Sequence, residues 1–161
     1  MNDSTLERGL VFFFRIAMGW TFLYAGLSQL TDPHFTVAGF LAGTKTFQDQ
    51  LAWFAIPAIA PYTTFLVKWG HTLIGLSLIS GCMVRLSSPF GIFLMAIYYC
   101  AHMDWPYIEG HVNFIMDYHL VYGAVLIFLM AKHAGHVWGL DGWLEKLPII
   151  ARRPLPHSFV E

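Results

Sequence analysis

Four long apolar stretches constrain this sequence more than anything else in it: Gly9–Leu30, Tyr62–Val84, Pro89–Trp105 and Asn113–Lys132. A helix needs about 20 mostly apolar residues to cross the hydrocarbon layer of a bilayer, and in that layer only segments that satisfy their own backbone hydrogen bonds persist. Four such runs within 161 residues leave little chain for any other architecture. They predict an all-α fold: an integral membrane four-helix bundle forming one membrane domain over residues 1–161, with spans near 9–30, 62–84, 89–105 and 113–132. Charge agrees. Only 12% of residues are charged, against roughly 25% in an ordinary soluble domain, which is too few to build a solvated shell around a core. A soluble globular enzyme, a disordered chain and a disulfide-stapled secreted module are therefore excluded. A net charge of −1 gives no basis for a nucleic-acid partner.

Local signals set the expected boundaries. Thr31-Asp32-Pro33 stops the first helix, Ser88-Pro89 reads as an N-cap followed by proline at the first helical position, and Gly135 breaks the fourth helix. Leu51–Pro61 is apolar but too short to span, and it carries two prolines, so it reads as an outer re-entrant or interfacial segment. Residues 141–150 read as a C-terminal amphipathic helix, with Asp141 as its N-cap, Trp138 and Trp143 as interfacial anchors, and Leu144, Leu147 and Ile150 on its apolar face. Cys82 and Cys100 lie in apolar runs, form no CxxC pair and read as packing thiols. No small-residue cleavage site follows the first apolar run, so that span is expected to be a retained anchor.

Lysine and arginine orient the bundle. With four spans, Arg8, Arg85, Lys132, Lys146, Arg152 and Arg153 share one side, whereas the opposite loops hold only Lys45 among several acids. The expectation is a multi-pass protein of the cell membrane with both termini in the cytoplasm.

Each ionisable side chain within a span costs about 2.5–3.5 kcal/mol at the helix centre and so calls for a partner or a function. These groups are Arg15, Lys68, His71, His102, Asp117 and His119. On the predicted topology all but Arg15 fall in the outer half, while Arg15 enters from the inner side. Helical spacing aligns Arg15, Gly19, Phe22, Gly26 and Gln29 on one stripe, His71, Gly75, Leu78 and Cys82 on a second, and Gly91, Met95, Tyr98 and His102 on a third. Asp117 and His119, two apart, would stand about 200° apart on a helix and could not point at one spot.

Four readings of these groups stay open: a metal site, a b-type haem held by two histidines such as His71 with His102 or His119, a pocket for an anionic or quinone-like ligand, and a buried ion-pair network that only locks the bundle. No HxxxH or ExxH pair lies within a span, so no metal is expected. The pocket is the reading adopted. In it His71, Asp117 and His119 are the catalytic residues that exchange and orient protons, and Arg15, Lys68 and His102 bind the substrate.

The order of these motifs resembles a known family. GHTLIGLSLISGCMVRL in the second span, Arg15-x3-Gly19-Trp20-x-Phe22-Leu23-x2-Gly26 in the first, and Asp117-Tyr-His119-Leu-Val-Tyr122 followed by Gly135-x2-Trp138-Gly139-Leu140-Asp141 together resemble the DoxX/DoxD family of small four-helix membrane proteins. The last two motifs are most similar to the DoxD subunits of thiosulfate:quinone oxidoreductase. The resemblance implies oxidation of thiosulfate or a related sulfur compound, with electron transfer to quinone as the second substrate and a second small subunit of the DoxA kind as partner. Two positions depart from the family pattern: His71 stands where many members carry an acid, and Gln29 where many carry a lysine. The sequence contains no Rossmann fingerprint, CxxCH motif or iron–sulfur spacing. A haem b electron-transfer subunit and a non-catalytic subunit anchoring a larger membrane complex are the alternatives.

Overall fold

A computed structural model describes residues 4–111 and 113–146, the side chain of Glu109 excepted. Its helices are α1 (Thr5–Thr31), α2 (Ala38–Ala42), α3 (Gln48–Ala52), α4 (Ala60–Ser80), α5 (Val84–His102), α6 (Tyr118–Ala131) and α7 (Asp141–Leu144). Two-residue strands, β1 (Met103–Asp104) and β2 (Tyr107–Ile108), form a small antiparallel hairpin between α5 and α6. The protein is an all-α membrane fold. Helices α1 and α5 are each long and apolar enough to cross a bilayer. Helix α4 meets the same criterion jointly with the segment 48–55, from which it is bent by 93°.

Four helices make the bundle, with α1 packed along α4 and α5 along α6. Small residues set the first contact. A Cβ at Gly75 would run into the backbone of Leu23, and one at Gly26 into the backbone of Thr72, so the two helices touch main chain to main chain. Phe22, Leu78, Leu126 and Leu129 fill the centre, all at 2% exposure or less. The outward faces carry Phe13, Trp20, Phe65, Phe90 and Phe93, each more than half exposed in the isolated chain. Apolar rings in that position belong against lipid rather than water.

Several predicted boundaries move, each for a physical reason. The second helix ends at Ser80 rather than Val84, because Gly81 turns left-handed (φ +67°). The third starts at Val84 rather than Pro89. Its first N–H groups are satisfied by a distant carboxylate: Met83 N and Val84 N donate to Asp141 Oδ1 and Oδ2 at 2.7 and 3.3 Å. Pro89 therefore lies inside α5 and is not its first residue. The fourth helix starts at Tyr118, not Asn113, since residues 113–115 are held outside it: Ile108 N bonds Asn113 O, Phe114 bridges Tyr107, and Tyr99 Oη donates to Ile115 O.

Asp141 does not cap its own helix; its side chain caps α5 instead. Of the predicted amphipathic helix, Asp141–Leu144 is helical, and positions 147–150 lie outside the described residues. Trp138 and Trp143 are exposed, as interfacial anchors would be. The expected outer segment at Leu51–Pro61 is helix α3, a 3-10 turn (Trp53–Ala55) and the bend into α4.

Candidate functional site

The polar residues of the spans collect at two opposite ends. At one end α1, α4, α5 and α6 surround a cavity of about 410 Å³, closed on one side by Phe35 and Phe40 from the segment after α1. Its polar lining includes His71 from α4, Tyr98 and His102 from α5, Tyr118, His119 and Tyr122 from α6, and Thr21 and Gln29 from α1, with Thr36 from the segment after α1. The rings are in mutual contact. Tyr98 stacks on His71 with centroids 5.6 Å apart and meets His119 at 5.5 Å, while His102 and His119 lie 4.8 Å apart.

All three histidines are held in the same manner. His71 Nδ1 lies 2.9 Å from Val67 O and His102 Nδ1 2.9 Å from Tyr98 O, each the carbonyl one helical turn back. A carbonyl can only accept, so Nδ1 carries the proton and Nε2 is left as a lone pair. His119 Nδ1 donates to Asp117 Oδ2 at 2.5 Å, and both residues are buried. Among the described residues no hydrogen bond reaches any of the three Nε2 atoms. Gln29 Oε1 is likewise buried with no partner in the structure. The cavity wall thus offers several unsatisfied acceptors beside three tyrosines, inside an aromatic shell.

The Asp117–His119 contact corrects the sequence reading that set these residues on opposite sides of a helix. Asp117 precedes α6 in extended conformation (φ −125°, ψ 157°), so the 100° helical step does not apply to it. As a result, one ligand-capable atom each from His102, Asp117 and His119 lie within 4.8 Å of one another.

Two predicted substrate-binding residues are not part of this wall. Lys68 donates to Asp32 O at 3.3 Å and rests over the Phe35 ring, behind the cavity. Arg15 is at the other end of the bundle, where its Nη1 donates to Ala134 O (3.0 Å) and its Nη2 to Trp138 O (3.2 Å). Two glycines make room for it and a third makes room for its neighbour Asp141. A Cβ at Gly81 or Gly139 would strike Arg15 Nη1, and one at Gly135 would strike the Asp141 carboxylate. Arg15 is 1% exposed, so this group ties α1 to the 134–141 segment and is closed to ligands. Tyr118 and Tyr122 belong to the cavity although sequence reasoning gave them no role; their signal was i, i+4 spacing astride His119. Phe40 sits in a short helix outside the spans, and no sequence signal marked it.

These elements define a membrane-embedded helical bundle with a histidine- and tyrosine-lined cavity at one end. The chain belongs to the DoxX family, whose family model matches residues 10–103. The match takes in Arg15, Lys68, His71 and His102 and stops before Asp117 and His119. No curated protein and no solved structure matches the chain.

Proposed function

We propose that this DoxX-family protein is the quinone-reactive membrane subunit of an oxidoreductase, with the cavity receiving the quinone headgroup. The observation that supports this most is the set of three histidines held through Nδ1 with Nε2 left free on an aromatic-lined cavity. Quinone chemistry couples electrons to protons, and a neutral imidazole with one open nitrogen takes up and returns protons near neutral pH. His71 serves one wall. His119 serves another, with Asp117 orienting its ring and stabilising its charged form. Tyr98 and the phenylalanines provide flat apolar surfaces for a planar ring, and lipid-side entry suits a hydrophobic substrate.

Oxidation of thiosulfate, or of a related sulfur compound, is the partner half-reaction in this reading. An oxyanion needs cations, and neither Arg15 nor Lys68 lines the cavity. The sulfur substrate is therefore assigned to a second small subunit, which would supply the electrons. The lysine and arginine distribution favours the cell membrane with both termini cytoplasmic.

The test is binding of a short-tailed ubiquinone analogue to the detergent-purified protein, followed by thiosulfate-dependent quinone reduction with and without co-purifying subunits. Saturable binding that weakens at least tenfold in His71→Ala and His119→Ala supports the reading. Absence of binding, or binding indifferent to both substitutions, overturns it in favour of a non-catalytic anchoring subunit.

A further inference from the structure

We propose that His102, His119 and Asp117 form a binding site for one divalent transition-metal ion of the Zn²⁺ or Co²⁺ type. The three come from two structural elements: His102 is the last residue of α5, Asp117 the extended residue before α6, and His119 the second residue of α6. Their ligand atoms lie within 4.8 Å of one another. A tetrahedral ion with bonds of about 2.0–2.2 Å holds its donors roughly 3.5 Å apart, so modest side-chain rotations close the set.

Three further features match how proteins hold such ions. His102 is preset by donating Nδ1–H to Tyr98 O at 2.9 Å, which fixes its tautomer and leaves Nε2 to ligate, the usual outer-shell arrangement of a metal-bound histidine. Asp117 Oδ2 and His119 Nδ1 already face each other at 2.5 Å, and an ion held by both takes the place of the proton they share. Asp117 and His119 are buried, and the cavity beside them leaves a position open for water or a small ligand. Imidazole and carboxylate without thiolate select borderline divalent ions. Among the described residues another close histidine pair, His133 and His136, lacks this organisation: the rings are 6.2 Å apart and His136 Nε2 is engaged by Glu145 at 2.7 Å.

Metal binding here stands on geometry alone and does not depend on the quinone reading. An ion at this site would occupy the groups that serve proton exchange at His119, leaving His71 as the open histidine of the cavity.

The experiment loads the full-length, detergent-purified protein, carried on a histidine-free affinity tag, with Co²⁺ and separately with Zn²⁺. Bound metal is counted by mass spectrometry and Co²⁺ coordination is read from its visible absorption. The expected result is one ion per chain with the absorption of a low-coordinate nitrogen–oxygen site. Affinity should fall at least tenfold in His102→Ala and in His119→Ala and stay unchanged in the His133→Ala/His136→Ala double variant. In the unaltered protein, Zn²⁺ should protect His102 and His119 from diethylpyrocarbonate, a readout that needs no variant to fold. Binding that survives loss of His102 and His119, binding that disappears with His133 and His136, or modification unaffected by Zn²⁺ overturns the proposal. Quinone-analogue binding measured on the metal-free protein tests the other reading separately.

Discussion

His119 donates its Nδ1 proton to Asp117 across 2.5 Å, although the two residues are only two apart in the chain. The contact exists because Asp117 is extended and His119 helical, which swings the carboxylate back over the first turn of α6. It fixes the His119 tautomer, and that leads to the first prediction.

Asp117→Asn keeps the shape but removes the charge that favours a protonated ring and lets the tautomer reverse. Quinone-linked turnover is expected to fall at least tenfold while quinone-analogue affinity changes little. Steady-state kinetics beside an equilibrium binding assay check the split; equal losses in both would show that Asp117 only holds the fold.

Arg15 is the structural counterpart at the other end of the bundle. Arg15→Met strands the Ala134 and Trp138 carbonyls and removes the positive charge facing Asp141, at a cost of about 1–3 kcal/mol for each buried group left unpaired. The thermal midpoint in detergent should drop clearly. Cavity ligand binding by the fraction that remains folded should be normal. Impaired binding at an unchanged midpoint would place Arg15 in the functional site after all.

Glycines give a paired comparison. Gly135→Ala and Gly75→Ala put a methyl group into the Asp141 carboxylate and the Leu23 backbone respectively, so both should destabilise markedly. Gly70→Ala meets nothing within 4 Å and lies inside α4. It should be neutral or gain up to about 1 kcal/mol from helix propensity. Thermal unfolding of the three variants side by side tests the packing.

Cys82, in the turn between α4 and α5, has its thiol pKa pushed up, first by burial and then by the nearby Asp141 charge. Raising a thiol pKa favours the protonated, unreactive form, so alkylation in a Cys100→Ser background should accelerate only above the pH at which an ordinary thiol reacts. Asp141→Asn should move that midpoint downward. A midpoint that stays put would mean Asp141 does not influence the thiol.

Much of this could be read from the sequence because bilayer crossing imposes so strict a pattern. The apolar runs, the small residues of the α1–α4 contact and the gathering of His71, His102 and His119 at one end all follow from span length and helical spacing. What was hidden depends on contacts between distant segments. Asp141 looked like the cap of the helix that follows it, yet it caps α5 from 57 residues away in sequence. Phe114, Ile115 and Met116 are apolar enough to extend a span, but the pairing of residues 107–108 with 113–114 takes them out of it. Once Asp117 leaves the helix, periodicity no longer says where it points, and that is why the grouping of His102, Asp117 and His119 is not legible in the sequence. Arg15 reads as an inner-side cation, but nothing local shows that the backbone at Gly81 and Gly139 closes around it.

Helix α6 has 14 residues, about 21 Å of rise, against a hydrocarbon layer of about 30 Å. Such hydrophobic mismatch is relieved by thinning the bilayer or by drawing in flanking chain. Since Asp117 and His119 sit at the start of α6, a thinned bilayer would bring the headgroup layer down towards them. The cavity would then open near the water boundary rather than at the membrane midplane, so protons could reach His119 over a short path while the tail of the proposed quinone stayed in the acyl layer.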